Sequence, residues 1–164
     1  MHHNKNGTAM RGFAIGWLAW MTWLSVSTAW AAPPTASQAQ VERGRYLARV
    51  ANCVACHTAE GGAPMAGGLP LQTGAGTVYS TNITPEASTG LGRYSLDDFD
   101  RAVRRGVARD GRRLYPAMPY PSYARMTRDD VAAVYAWLRA EVKPVAQTNR
   151  DAQMRWPYSM RWLM

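Results

Sequence analysis

Apolar positions recur with a helical period in three segments of the chain. Residues 39–52, AQVERGRYLARVAN, place apolar or small side chains three to four residues apart, which predicts a first helix. Ser95, with Asp98 three residues later, predicts the N-terminus of a second helix. The apolar face of that helix is formed by Leu96, Phe99, Ala102, Val103 and Val107.

The third helix has the clearest boundaries. Thr127 is a good N-cap, and Asp130 follows three residues later. Met126 and Val131 take the positions at which a hydrophobic pair fixes the entry of the chain into a helix. The apolar stripe consists of Val131, Val134, Tyr135 and Leu138. We expect this helix to end near Glu141, before Pro144.

Residues 60–90 are rich in glycine, proline and threonine and show at most a short extended piece at 77–81. So long a loop is unusual in a compact domain unless something other than its own packing organises it. Three short helices also form a thin core. We therefore expect an all-α fold of three main helices and long Gly/Pro-rich loops around a large apolar group.

Residues 1–31 are typical of a secretory signal peptide, because Lys5 and Arg11 precede an apolar run, and small residues suited to a signal peptidase follow the run at Ala29–Ala31. The apolar run, Gly12–Val26, is shorter than the about 20 residues that span a bilayer, which argues against a membrane anchor. The remaining chain divides into a flexible lead-in at 32–38, one domain at 39–146 and a C-terminal tail at 147–164.

The chain carries 19 basic and 11 acidic residues, a net charge of +8. The signal peptide holds two of the basic residues and no acidic one, so the exported chain has 17 against 11, or +6. Export argues against nucleic acid as the partner of this basic surface. Six arginines cluster from the second helix into the following turn and form either a solvated face or a docking patch for an acidic partner: Arg101, Arg104, Arg105, Arg109, Arg112 and Arg113.

Both cysteines, and the one histidine outside the signal peptide, lie in the motif Cys53-Val-Ala-Cys56-His57. In this motif two thiols about one helical turn apart form thioethers with haem, and the histidine next to them becomes an axial ligand of the iron. A structural zinc site would need a fourth ligand, and a thioredoxin-like pair would need a βαβ context. A simple disulfide would leave His57 without a role. The motif predicts one covalent haem c.

Methionine is the favoured second axial ligand, because no further histidine remains and Lys143 follows the last helix. Met65 stands too close to His57 in the sequence to reach the far side of the iron. Met126 already has a role at the start of the third helix, and the last three methionines lie in the tail.

Met118 remains, and it stands between Pro116 and Pro119 in the segment YPAMPYPSY. The prolines restrict the backbone and lower the entropic cost of holding a weak thioether bond. We expect His57 and Met118 to bind the iron. This ligand pair raises the reduction potential and fills both axial positions, which suits electron transfer.

Five motifs extend well beyond the haem signature: CVACHT, AGGLPLQT, GTVYSTNITP, YPAMPYPSY and MTRDDVAAVYAWLR. Together, over residues 41–164, they resemble the first haem domain of the class I cytochrome c subunits of membrane-bound alcohol, gluconate, sorbitol and aldehyde dehydrogenases. The resemblance implies the cytochrome c fold, haem attachment at Cys53 and Cys56, and iron ligation by His57 and Met118. It also implies that the loop at 79–85 packs on the haem.

The resemblance implies a periplasmic electron-transfer protein and not an enzyme. Its donor would be the catalytic subunit of a dehydrogenase of the alcohol, aldehyde, sugar-acid or molybdenum-hydroxylase type. Its acceptor would be the quinone pool or a terminal oxidase of the respiratory chain. Contact with the periplasmic face of the inner membrane would be peripheral and made through the complex. The alternative is a haem-based small-ligand sensor or weak peroxidase in which the bond to Met118 opens.

The family subunits usually bear three Cys-x-x-Cys-His motifs, whereas this chain has one. The tail resembles the connector to a second haem domain, so the chain is either a single-haem relative or the first piece of a longer product. Residues 154–164 form an apolar strip that Pro157 keeps from being a continuous helix. We expect the tail to pack against a partner, so that deleting 149–164 leaves stability nearly unchanged; the alternative is that it folds back over its own domain.

Overall fold

A computed structural model describes residues 36–160, so the predicted signal peptide lies outside the described residues. No helix within 36–160 has both the length and the apolar character needed to cross a membrane. This part of the chain contains five helices and three strands: α1 (Gln38–Val50), α2 (Cys53–Cys56), β1 (Pro70–Thr73), β2 (Gly76–Tyr79), α3 (Leu96–Arg105), α4 (Tyr120–Tyr123), α5 (Arg128–Glu141) and β3 (Gln153–Met154).

The three long helices α1, α3 and α5 lie where the sequence predicts them, and a side-chain cap marks the start of each. At α3 the Asp98 N–H donates to Ser95 Oγ (3.1 Å), and the Ser95 N–H donates to the Asp98 carboxylate (2.9 Å). At α5 the Asp130 N–H donates to Thr127 Oγ1 (3.1 Å). Local sequence is thus sufficient to start these helices.

α1 and α5 pack at the position of Gly44. A Cβ on this residue would lie 1.9 Å from the carbonyl oxygen of Ala133, so glycine is required for this approach of the two helices. An ion pair between Arg45 and Glu141 joins the same two helices. The buried core beside this contact consists of Ala48, Leu91, Phe99, Val131, Val134 and Leu138.

The prediction of an all-α fold is wrong, because the described residues also form a three-stranded antiparallel sheet in the order β1-β2-β3. β1 and β2 make a hairpin in which Thr73 lies opposite Gly76. β3 pairs with the other edge of β2 and places Met154 opposite Gly76. The predicted extended piece at 77–81 overlaps β2, but both of its partner strands were missed. Strands of two to four residues show no periodicity that could reveal them.

The chain runs back over the domain after α5, in a segment that we call the strap (residues 145–154). The Asn82 side chain is 2% exposed, and its Nδ2 donates to the carbonyl oxygen of Val145 (2.7 Å). The Gln147 side chain donates to the carbonyl oxygen of Gly67 (3.2 Å). The Arg150 guanidinium carbon lies 3.8 Å from the centre of the Tyr79 ring.

The strap therefore corrects the expectation that the tail packs outside its own domain. Its last residues form β3, and the Arg155 N–H donates to the carbonyl oxygen of Ala75 (2.8 Å). Only beyond that bond does the described chain become an exposed apolar segment, with Trp156 78% and Tyr158 52% exposed. Two parts of the tail thus differ: one belongs to the sheet and the other faces outward.

Candidate functional site

One cleft in the described part of the chain contains all four predicted site residues, Cys53, Cys56, His57 and Met118. The two cysteines and the histidine come from the turn that follows α1, whereas Met118 comes from the segment before α4. The wall between them is apolar and comes mainly from α3 and α5: Phe99, Ala102, Val103, Val131, Val134 and Leu138. An apolar cleft that ends in nitrogen and sulfur donors fits a haem.

The Cys-x-x-Cys-His motif forms the single turn α2 and its C-terminal residue. Asn52 enters this turn with φ of 56°, in the left-handed region that asparagine tolerates better than most residues. The His57 N–H donates to the carbonyl oxygen of Cys53 (2.9 Å), which closes the turn. Cys56 is exposed, and burial raises the pKa of the half-buried Cys53 to about 11.

The His57 ring is fixed by one hydrogen bond, between Nδ1 and the carbonyl oxygen of Thr81 (2.7 Å). A carbonyl oxygen can only accept, so Nδ1 carries the proton and Nε2 keeps its lone pair. Burial lowers the pKa of His57, which keeps the ring neutral near pH 7. A neutral imidazole held in this tautomer is ready to bind a metal through Nε2.

Gly67 packs closely against the Thr81 carbonyl, a role that the sequence analysis did not predict. Its φ is +76°, and a Cβ there would lie 2.4 Å from the carbonyl carbon of Thr81. Its N–H donates to the carbonyl oxygen of His57 (2.8 Å). The signal in the sequence was the glycine pair in AGGLP, since adjacent glycines often mark a close backbone approach.

Met118 lies half-buried in a turn that leads directly into α4. The Tyr120 N–H donates to the carbonyl oxygen of Met118 (2.8 Å). The Tyr123 hydroxyl donates to the carbonyl oxygen of Ala51 (2.7 Å), which ties this segment to the end of α1. Burial raises the pKa of Tyr123 to about 12, so its hydroxyl stays protonated at neutral pH.

The other methionines named in the sequence analysis take different places. Met126 also lines the cleft, where it packs against the core. Met65 is 4% exposed and is not among the residues that line the cleft. Among residues 36–160, Met118 and Met126 are therefore the two methionines that line the cleft.

The predicted arginine cluster is largely balanced by neighbouring carboxylates. Arg101 lies 2.6 Å from Asp98, and Arg104 lies 3.2 Å from Asp100, which is 6% exposed. Two of the three arginines that follow α3 also lie within 4 Å of a carboxylate: Arg109 with Asp98 and Arg112 with Asp110. These pairs favour the solvated face over the docking patch, because they reduce the positive field that would attract an acidic partner.

Comparison with known proteins identifies the family of the chain. The cytochrome c family model matches residues 41–141. The gluconate 2-dehydrogenase cytochrome c subunit of Pantoea cypripedii is 56% identical over 138 residues, which is 84% of this chain and 31% of that protein. The cytochrome c subunit of the quinone alcohol dehydrogenase of Gluconacetobacter polyoxogenes is 52% identical over 139 residues, 85% of this chain and 30% of that protein.

A nicotinate dehydrogenase subunit of Pseudomonas putida is 46% identical over 156 residues, 93% of this chain and 13% of that protein. The chain thus spans less than a third of the length of these relatives. The family match and the identities confirm the resemblance drawn from the motifs. The chain belongs to the cytochrome c family, whose domains hold haem c covalently.

Proposed function

We propose that this chain is an electron-transfer protein whose domain at 39–146 holds one haem c. Cys53 and Cys56 would form the two thioether bonds, and His57 Nε2 and Met118 Sδ would bind the iron. The observation that carries the proposal is the cleft that contains all four groups, with His57 fixed as a neutral ring with a free Nε2. The count of one haem rests on the single Cys-x-x-Cys-His motif in the sequence.

Haem with two protein ligands supplies a one-electron carrier with no open position on the iron. The residues of the chain support electron transfer in two ways: they keep the cleft apolar, and they hold the proposed ligand His57 in place. The side chains of Phe99, Val131 and Leu138 exclude water from the cleft, and the Thr81 carbonyl holds His57 in one orientation. Paired carboxylates, or a nucleophile beside a base, were not found in the sequence, and we propose a carrier and not a catalyst.

The proposed donor is the catalytic subunit of a dehydrogenase. Two of the relatives are named as cytochrome c subunits of gluconate and alcohol dehydrogenases, and a third as a subunit of nicotinate dehydrogenase. We propose the quinone pool or a terminal oxidase as the acceptor, and the periplasm as the location, with residues 1–31 as the export signal. Nucleic acid is not a proposed partner.

Covalent attachment is tested by extraction with acidified acetone, which removes haem that is not bonded to the chain. We expect the haem to stay with the wild-type polypeptide and to leave the Cys53→Ala/Cys56→Ala double variant. Val54→Ala is the matched control, since it alters an exposed residue of the same turn and removes no thiol. Loss of haem from the wild type on extraction would overturn the proposal.

Carbon monoxide tests whether both axial positions are filled. We expect no spectral change when the reduced protein is exposed to the gas near neutral pH, because Met118 occupies the sixth position. A rapid change in the wild type would favour the alternative, a small-ligand sensor or weak peroxidase with a displaceable Met118.

A further inference from the structure

We propose that Asn149, in the strap, is a positioning residue that tunes the iron through the peptide group between Thr81 and Asn82. This inference rests on the proposed function, in which His57 binds the iron. The carbonyl oxygen of that peptide group accepts a hydrogen bond from His57 Nδ1 (2.7 Å). Its N–H belongs to Asn82 and donates to Asn149 Oδ1 (2.6 Å). The ring, the peptide group and the asparagine thus form one continuous chain of hydrogen bonds.

The two hydrogen bonds strengthen one another because they share one amide. Hydrogen bonds in series polarise each other, and the bond from the Asn82 N–H is part-buried although Asn149 itself is exposed. Donation from the Asn82 N–H shifts electron density toward the Thr81 carbonyl oxygen, which then accepts more strongly from His57 Nδ1. A ligating histidine that donates a stronger hydrogen bond is a more basic ligand. A more basic ligand stabilises the ferric state, so Asn149 lowers the reduction potential.

The orientation of the Asn149 amide is fixed by a second contact. Its Nδ2 donates to the carbonyl oxygen of Thr89 (2.8 Å). A flipped amide would set its NH₂ against the Asn82 N–H and its oxygen against the Thr89 carbonyl, which are two unfavourable pairs. The oxygen of Asn149 must therefore face the peptide group, and the residue also lines the cleft.

The peptide group keeps its place without Asn149, because the Asn82 side chain holds it independently. Asn82 Oδ1 accepts from the Thr84 N–H (2.9 Å), and its Nδ2 donates to the carbonyl oxygen of Val145 (2.7 Å). Thr84 is fully buried. A change at Asn149 therefore removes the polarising contact and leaves the Thr81 carbonyl near His57.

The test compares Asn149→Leu with Gln147→Ala in the full-length holoprotein. Leucine has the same number of side-chain heavy atoms as asparagine and provides no acceptor. Gln147→Ala is the matched control, since it removes the bond from the side chain to Gly67 and leaves the Thr81–Asn82 peptide untouched. Both variants loosen the strap, but only the first interrupts the hydrogen-bonded chain.

We expect the equilibrium constant for reduction to rise roughly twofold to fourfold in Asn149→Leu. This is a rise in midpoint potential of about 18–36 mV at 59 mV per tenfold. The Nδ1 proton of His57, followed by NMR, should exchange faster with solvent in that variant. Gln147→Ala should match the wild type in both measurements.

Two results would overturn the inference: an unchanged potential and exchange rate in Asn149→Leu, or an equal rise in both variants, which would trace the effect to a loosened strap. Failure of the proposed function would look different. In that case the wild-type His57 ring would show none of the large NMR shifts that bonding to a paramagnetic ferric iron produces.

Discussion

The wall of the cleft that carries His57 and the wall that carries Met118 are held by different kinds of contact. On the histidine wall, residues 80–84 bond to His57 on one side and to the strap on the other, through Asn82 and Asn149. On the methionine wall, the backbone bonds nearest to Met118 are local, such as Tyr120 N–H to the Met118 carbonyl. Its described long-range bond is the one from Tyr123 to Ala51.

This difference shows that the two proposed ligands are rigid for different reasons. Segments distant in sequence share a network of hydrogen bonds around His57, so movement of the histidine would disturb several of them. Met118 depends on two flanking prolines, which limit the backbone locally. We expect damage to the histidine wall to reach the whole domain, and damage to the methionine wall to stay near the iron.

The largest effect should come from removing the strap. Deletion of residues 145–164 breaks the sheet and leaves the buried Asn82 amide without its acceptor on Val145. Several lost hydrogen bonds, with Thr89 Oγ1 left as the acceptor of the buried Asn82 amide, cost on the order of 5 kcal/mol, which approaches the whole stability of an ordinary domain. Urea unfolding of the holoprotein measures this loss.

Deletion of residues 156–164 is the matched control, because it leaves β3 and the bond from Arg155 in place. We expect it to change the free energy of unfolding by less than about 1 kcal/mol. Equal unfolding midpoints for the two truncations would show that the strap does not support the histidine wall.

The second comparison separates the two methionines of the cleft. Met118→Ala removes the thioether ligand, so we expect the midpoint potential to fall on the order of 0.1 V, within the roughly 0.8 V that axial ligands cover. Met126→Ala should leave the potential near the wild-type value and cost about 2 kcal/mol of stability through the cavity that it opens in the core. Potentiometry and urea unfolding give both numbers. The reverse result would assign the iron bond to Met126.

Two glycines with positive φ, one beside each wall, allow the walls to be compared by the same substitution. At Gly67 a Cβ would lie 2.4 Å from the Thr81 carbonyl carbon, which is backbone and cannot yield. At Gly106 it would lie 3.1 Å from the Tyr120 ring, a side chain that can shift. We expect Gly67→Ala to cost about 3 kcal/mol or more and Gly106→Ala about 1–2 kcal/mol. Equal losses in the free energy of unfolding, measured in urea, would show that the two walls do not differ in this way.

The smallest effect concerns pH and the loop beside the histidine wall. The Glu86 carboxylate accepts from the Ser88 N–H (2.9 Å), the Thr89 N–H (2.6 Å) and Thr89 Oγ1 (2.7 Å). These bonds lower the pKa of Glu86 from 4.5 to about 2. Its contribution to stability is therefore complete above pH 4.5 and is lost as the pH falls toward 2.

Glu86→Gln should flatten the dependence of the melting temperature on pH between about 4.5 and 2, with little change near pH 7. Glu60→Gln is a suitable control on an exposed carboxylate. If the melting temperature of Glu86→Gln fell with pH as steeply as that of the wild type, other carboxylates would govern acid unfolding.

The sequence predicted the features that depend on a few neighbouring residues. The caps at Ser95 and Thr127, the end of α5 at Glu141 and the turn that contains Cys53 and His57 all follow from spacing within one or two helical turns. The common cleft for the four site residues followed from knowledge of the haem motif and from elimination among the methionines.

The remaining features depend on partners far along the chain. β3 is two residues long and gains its structure only from β2. Asn149 looks like an ordinary polar tail residue until its contacts with Asn82 and Thr89 are known. Gly67 likewise acquires its meaning from the Thr81 carbonyl. No local periodicity marks such pairings, so the sheet, the strap and the support of His57 needed the structure.

The close packing of α1 on α5 also sets the order in which parts of the domain can fold. The chain is synthesised from its N-terminus. Gly44 cannot pack against Ala133 until that residue has been made, roughly 90 residues later. Alone, a helix of 13 residues is marginal in water, so α1 stays open until α5 exists and the loop can close. During that interval Cys53 and Cys56 stand on an unfolded, accessible stretch. The distance between the two helices along the chain thus sets a time window in which the thiols can be modified before the domain closes over them.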